Sequence, residues 1–227
     1  MQRNVTTSVI LKRINFNDAD RIITCITPDF GKVSLLARGV RKSKSKMAGG
    51  IELFSINQIT FIPGKKEIGT LVSARIQTNF GQVVKDVERA IWAYEMLKIT
   101  DQHTEENAEP GYYQILTKTL VSLDNHKIDL SIAKVWFYMQ FLNLSGHGMN
   151  LASDIKSRPL VENTKYQFSV QDGAFFKIGT GQYDSNHIKF LRLCIKNSPN
   201  GLNKISYANK LAHDVENLLL QQIKYLH

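Results

Sequence analysis

The chain has 227 residues, 43% apolar and 22% charged, with 29 Lys+Arg against 20 Asp+Glu and a formal net charge of +9. That is enough apolar mass for the core of one or two domains, and it excludes a wholly disordered chain. No stretch approaches the roughly 18 consecutive apolar residues of a membrane span, and the first residues lead into no signal-peptide core. Two cysteines, Cys25 and Cys194, cannot build a disulfide framework or a four-ligand zinc site. The expectation is a soluble, cytoplasmic, basic protein whose surplus charge points to polyanionic partners.

In chain order, residues 5–12 alternate, with Val5, Val9 and Leu11 on one face and Thr6, Ser8 and Lys12 on the other, which predicts a strand. A polar break from Asn15 to Asp20 precedes a second strand at 21–26. Thr27-Pro28-Asp29-Phe30-Gly31 supplies a turn into a third strand at 32–38. Residues 51–62 predict a fourth strand, and Pro63-Gly64 turns into a fifth at 68–77. Five short strands with hairpin turns in about 80 residues suit a small barrel of the oligonucleotide-binding (OB) kind, not a parallel sheet. After Gly81 the pattern turns helical. Residues 82–101 place Val83, Val87, Ile91, Tyr94 and Leu97 at helical spacing, and 112–123 and 129–145 predict two more helices. The last of these is apolar nearly all round, which places it at the centre of a bundle. Segment 146–183 is rich in glycine and carries a hairpin signal at Gln171-Asp172-Gly173. Helices at 184–197 and 206–225 follow, the second with Ser206 as its cap. The fold class expected is α+β: an OB-fold nucleic-acid-binding domain over 1–80 and a helical domain over 81–227.

The charge is unevenly placed. Residues 1–80 hold 13 Lys+Arg against 5 Asp+Glu, a balance of +8, whereas 81–227 hold 16 against 15. Five cations and no acid fall within residues 38–46: Arg38, Arg41, Lys42, Lys44 and Lys46. Taken alone, such a run reads as a solvated loop. Here Gly39, Ser43 and Ser45 allow close backbone approach and add phosphate donors, and the run lies between two predicted strands that can present it. Lys12, Arg13, Arg21 and Lys32 lie in the same third of the chain and are assigned to the same surface. Phe16 and Phe30 sit in predicted turns, where each could stack on a base or pack into the core.

Catalytic signatures are missing. Gly64 to Gly69 has phosphate-loop spacing but continues with Thr70-Leu71, without the cation and metal-binding hydroxyl that chemistry needs. The six histidines show no metal-ligand spacing, and Cys25 and Cys194 lie among apolar neighbours that favour an inert thiol. The expectation is a non-enzyme with no cofactor.

The blocks Leu11 to Ile23, Thr27 to Lys32, Leu36 to Ser45 and Gly50 to Phe54, in this order and spacing, resemble the bacterial DNA repair protein RecO family, as does Phe141-Leu-Asn-Leu-Ser-Gly146. The resemblance implies an OB barrel, a helical domain and a small zinc-finger-like insert, here at about 146–183. It implies binding of single- and double-stranded DNA, strand annealing, and work with RecR to load RecA onto DNA coated by single-strand-binding protein. It further suggests that the helical part docks the acidic, Phe-ended tail of single-strand-binding protein; Lys189, Arg192 and Lys196, at helical spacing, read either as the cationic rim of such a groove or as a solvated face. One departure is plain: 146–183 contains no cysteine, so the family's zinc ligands are lacking and no metal is expected. An RNA-binding or ribosome-associated OB protein is the alternative reading of the same barrel and loop.

Overall fold

A computed structural model describes residues 2–64, 67–106 and 108–226. They divide into two compact units, with the boundary along the chain between Asn125 and His126.

The first unit is built on five strands, β1 (Asn4–Phe16), β2 (Asp20–Thr27), β3 (Gly31–Ala37), β4 (Ser55–Ile62) and β5 (Ile68–Asn79). They close a barrel in the order β1-β2-β3-β5-β4, with β3 and β5 joined in parallel and every other pair antiparallel. The expected OB-like barrel is therefore present. Ile10, Ile23, Cys25, Leu35, Ile59, Phe61 and Leu71 fill it, and Val40 and Ile51 enter the same core from the β3–β4 connection. Burying each of the Ile, Leu, Phe and Val side chains among them contributes about 1.5–3 kcal/mol.

Four details differ from the sequence expectation. On β1, Thr6 and Ser8 are buried while Val5 is 59% exposed. The hydroxyls are accommodated because Thr6 Oγ1 donates to Asp29 Oδ2 at 2.5 Å and Ser8 Oγ to the Asn57 carbonyl at 3.4 Å. Second, the register against β2 slips between Ile10 and Lys12, a bulge at Leu11 that reverses which residues face inward. Third, β4 begins at Ser55, since Ala48–Ile51 form a short 3-10 helix. Fourth, α1 (Val87–His103) buries Trp92, Ala93, Met96, Leu97 and Ile99, leaving Val87, Ile91 and Tyr94 exposed. Apolar residues wind around this whole helix, so spacing alone could not select the face turned to the barrel. Asp86 caps α1 by accepting from the Arg89 amide, and α2 (Pro110–Asp124) starts with proline at its first position.

Gly31 adopts φ +61°, and a Cβ there would lie 2.5 Å from the Glu106 carbonyl oxygen. Only glycine lets this turn come so near the α1–α2 connection, where the Lys32 amide donates to the same oxygen at 2.9 Å.

The second unit centres on α3 (Leu130–Leu144), buried nearly all round as the sequence indicates. Around it lie α4 (Ser185–Lys196), α5 (Pro199–Leu202) and α6 (Ala208–Lys224). Trp136 Nε1 donates to the Asn197 carbonyl at 2.8 Å, and Asn203 bridges the Asp129 amide and the Lys127 carbonyl at the start of α3. The cap of α6 is Tyr207, at φ +61° and without a side-chain capping bond, not Ser206. The insert holds β6 (Asn150–Asp154), β7 (Tyr166–Ser169) and β8 (Ala174–Lys177) in the order β6-β8-β7, with the expected β7–β8 hairpin. Its core is a ring cluster in which Phe175 meets Tyr166, Phe168 and Tyr183 at 6.4, 5.1 and 5.9 Å. Among the described residues no helix is long and apolar enough to cross a membrane.

Candidate nucleic-acid interface

The basic segment leaves β3 at Arg38 and returns to the barrel at Ile51. It is held at several points. Val40 is buried in the core. The Gly39 amide donates to Asp20 Oδ1 at 2.7 Å, the Arg41 amide to the Ala19 carbonyl at 2.9 Å, and Arg41 Nη1 to the Asn17 carbonyl at 3.2 Å. These three bonds pin the loop to the β1–β2 hairpin tip at residues 17–20. Turns close from Lys42 to Gly39 and from Ser45 to Lys42. The loop is thus a shaped presentation of charge, with a low ordering cost on binding.

Arg38, Arg41, Lys42, Lys44 and Lys46 are all exposed and make no ion pair among the described residues. Arg21 is half-buried beside them; its Nε donates to Asn15 Oδ1 at 3.0 Å, and it too has no carboxylate partner among the described residues. Arg13 is at the same end of the barrel, but its guanidinium is neutralised by Glu52 at 2.8 Å and also reaches the Ile51 carbonyl.

Lys12 and Lys32 lie elsewhere. Both reach Asp101 near the C-terminal end of α1, at 3.9 and 3.0 Å. Lys32 Nζ also donates to the carbonyls of Asp101 and Thr104, where a cation complements the helix dipole. In the ladder Arg21 pairs with Ala37 and Ile26 with Lys32. Lys32 therefore lies five residues of β2 from Arg21, about 17 Å at the strand rise, while Lys12, level with Thr24, lies between the two ends. The structure gathers seven of the nine assigned cations around the hairpin end and sets Lys12 and Lys32 apart.

One cation escaped the sequence reading. Arg75 is exposed on β5, and the backbone there touches Gly50, where a Cβ would meet the Arg75 amide at 2.6 Å. Alternation along β5, with Ala74 inward, was the signal that could have found it.

The two aromatic candidates also separate. Phe30 stands edge-on against Phe61 at 5.3 Å. Phe16, at the hairpin tip, is 42% exposed and has no ring partner among the described residues. The thiols offer no nucleophile: burial pushes Cys25 and Cys194 up to about 12, against smaller opposing hydrogen bonds.

The second unit carries a groove of about 520 Å³ between α4 and α6. Phe190, Leu193, Ile205, Tyr207 and Leu211 line it, with Lys189 and Lys210 among the polar residues. Lys189 is paired with Glu162. Lys210, on the facing helix, has no partner among the described residues. Arg192 instead donates to the Leu151 carbonyl, fixing β6 to α4, and Lys196 is not among the lining residues. At one end His187 stands between Asp184 at 2.8 Å and Asp214 at 3.4 Å. Burial pushes the Asp184 carboxyl up, but hydrogen bonds from His187, Lys165 and the Asn186 amide outweigh it and hold the group at about 2.

Comparison with known proteins agrees with the fold. The family described as Recombination protein O N terminal matches residues 1–80, and Recombination protein O C terminal matches residues 84–226. A DNA repair protein RecO of Desulfatibacillum aliphaticivorans is 33% identical over 147 residues, covering 62% of this chain and 56% of that protein. One of Dehalococcoides mccartyi is 25% identical over 228 residues, covering 97% and 89%. One of Listeria monocytogenes is 28% identical over 138 residues, covering 61% and 54%. The aligned part thus spans just over half of the first and third of these relatives and most of the second.

Proposed function

The chain belongs to the RecO family of DNA repair proteins, and on that premise we propose that it binds single- and double-stranded DNA and anneals complementary strands. The observation that carries this reading is the anchored loop with five exposed cations that no acid neutralises among the described residues. Arg38, Arg41, Lys42, Lys44 and Lys46 take the phosphates. Arg21 and Arg75 extend the contact, whereas Arg13 is engaged by Glu52, Lys12 approaches Asp101, and Lys32 acts by holding α1. Residues 1–80 are the DNA-binding domain in this reading, and 81–227 the helical one.

Annealing follows from the charge. Two like-charged strands repel, and a cationic surface that screens both leaves their base edges free to pair. In repair the protein works with RecR to load RecA onto DNA covered by single-strand-binding protein. The α4–α6 groove receives the acidic, Phe-ended tail of that protein: the apolar floor takes the ring and Lys210 takes a carboxylate. The test is annealing of complementary oligonucleotides coated with single-strand-binding protein. The wild type is expected to speed pairing, and a variant with the five loop cations changed to alanine to lose that effect. Equal rates with and without the wild-type protein would end this reading.

A further inference from the structure

The hairpin tip bears an apolar surface that the phosphate-binding reading leaves unexplained. Beyond the Leu11 bulge, Ile14 and Phe16 stand on the same face of β1, two residues apart, and are 46% and 42% exposed. Ile14 pairs with Ile22 and Ile22 with Leu36, both half-buried, so an apolar strip crosses three strands and ends at the Phe16 ring. A single exposed apolar residue is ordinary, but a continuous strip ending in a ring with no ring partner among the described residues points to a ligand.

The surroundings identify its chemistry. Asn17 follows Phe16 directly, at φ 48°, and its carbonyl accepts from the Arg41 guanidinium. The ring thus stands one residue from the anchor of an arginine that has no carboxylate partner among the described residues. The same bonds that shape the basic loop immobilise the hairpin bearing the ring. An exposed ring one residue from the carbonyl that holds a guanidinium suits one nucleotide unit, a base on the ring and its phosphate on the cation.

We propose that Phe16, supported by Ile14, is a stacking site for an unpaired base, so that the hairpin tip favours single-stranded over duplex DNA. In a duplex each base already stacks on its neighbours and its face is closed to the ring, so only the phosphate contacts remain. In a single strand the ring adds stacking to them. This inference rests on the DNA-binding reading above and assigns a strand preference within it.

The experiment compares Phe16→Ala and Phe16→Trp with the wild type, by fluorescence anisotropy at one salt concentration. The probes are an oligothymidine and a duplex of the same length. The alanine variant is expected to lose about five- to a hundredfold in single-strand affinity, with duplex affinity within about twofold. The tryptophan variant is expected to keep single-strand binding, and the oligothymidine is expected to quench the added indole. The tip is exposed, so thermal melting should match the wild type in both variants. Equal losses on both probes, or no loss on either, would overturn the stacking site while leaving the DNA-binding reading intact. Failure of the wild type to bind either probe would overturn both.

Discussion

Lys32 separates a charge that binds from a charge that builds. Its ammonium lies 3.0 Å from Asp101 Oδ1 and 3.1 Å from the Thr104 carbonyl, with a further bond to the Asp101 carbonyl. The side chain is 18% exposed. Lys32→Met keeps the aliphatic stem and removes the charge, leaving two carbonyls at the end of α1 and one carboxylate without their donor. Each charge-assisted bond contributes about 1.5–3 kcal/mol, and water reaching the vacated site returns part of it, so a net loss of about 2 kcal/mol follows. For a unit of this size that lowers Tm by about 6–10 °C. A phosphate contact would act differently, reducing the salt slope of single-strand binding by about 0.7. Circular dichroism melting beside a salt titration measures both. The expected outcome is a lower Tm with an unchanged slope. An unchanged Tm with a reduced slope would refute the structural role and place Lys32 on the DNA.

Two further outcomes concern the second unit. Asp184 caps α4, and its carboxyl is held at about 2, below the ordinary value of 3.8. Because the folded value is the lower one, its contribution is present above about pH 4 and is lost as pH falls towards 2. Asp184→Ala should therefore cost about 1 kcal/mol at neutral pH, by chemical denaturation, with the gap to wild type closing in that acid window. A gap that stays constant down to pH 2 would contradict the assignment. Lys210→Glu reverses the charge of a lysine that lines the α4–α6 groove, and calorimetry with the acidic tail peptide of single-strand-binding protein should show at least about a tenfold loss, while DNA affinity stays as in wild type. An unchanged peptide isotherm would remove the groove from that role.

Much of the barrel was legible because turn chemistry marks it. Pro28 to Gly31 and Pro63-Gly64 bound strands whose centres alternate, and the absence of acids from 38–46 exposed the loop. The misreadings share a cause: a one-dimensional pattern cannot register a third element. The Leu11 bulge moves Ile14 and Phe16 to the outer face, and only pairing with β2 reveals it. Val87, Ile91 and Tyr94 keep helical spacing, yet a second apolar face won the barrel contact. Lys32 resembles any surface cation until α1 ends against it. Arg192 looked like a groove-rim residue, but the Leu151 carbonyl holds its guanidinium.

The central claim is that the five loop cations form the phosphate-binding surface. A salt series of oligothymidine affinity tests it most directly, comparing the wild type with the variant in which Arg38, Arg41, Lys42, Lys44 and Lys46 are alanine. Each phosphate contact on a single strand contributes about 0.7 to the slope of log affinity against log salt, so the slope should fall by about 3.5. An equal slope and equal affinity in the two proteins would contradict the claim.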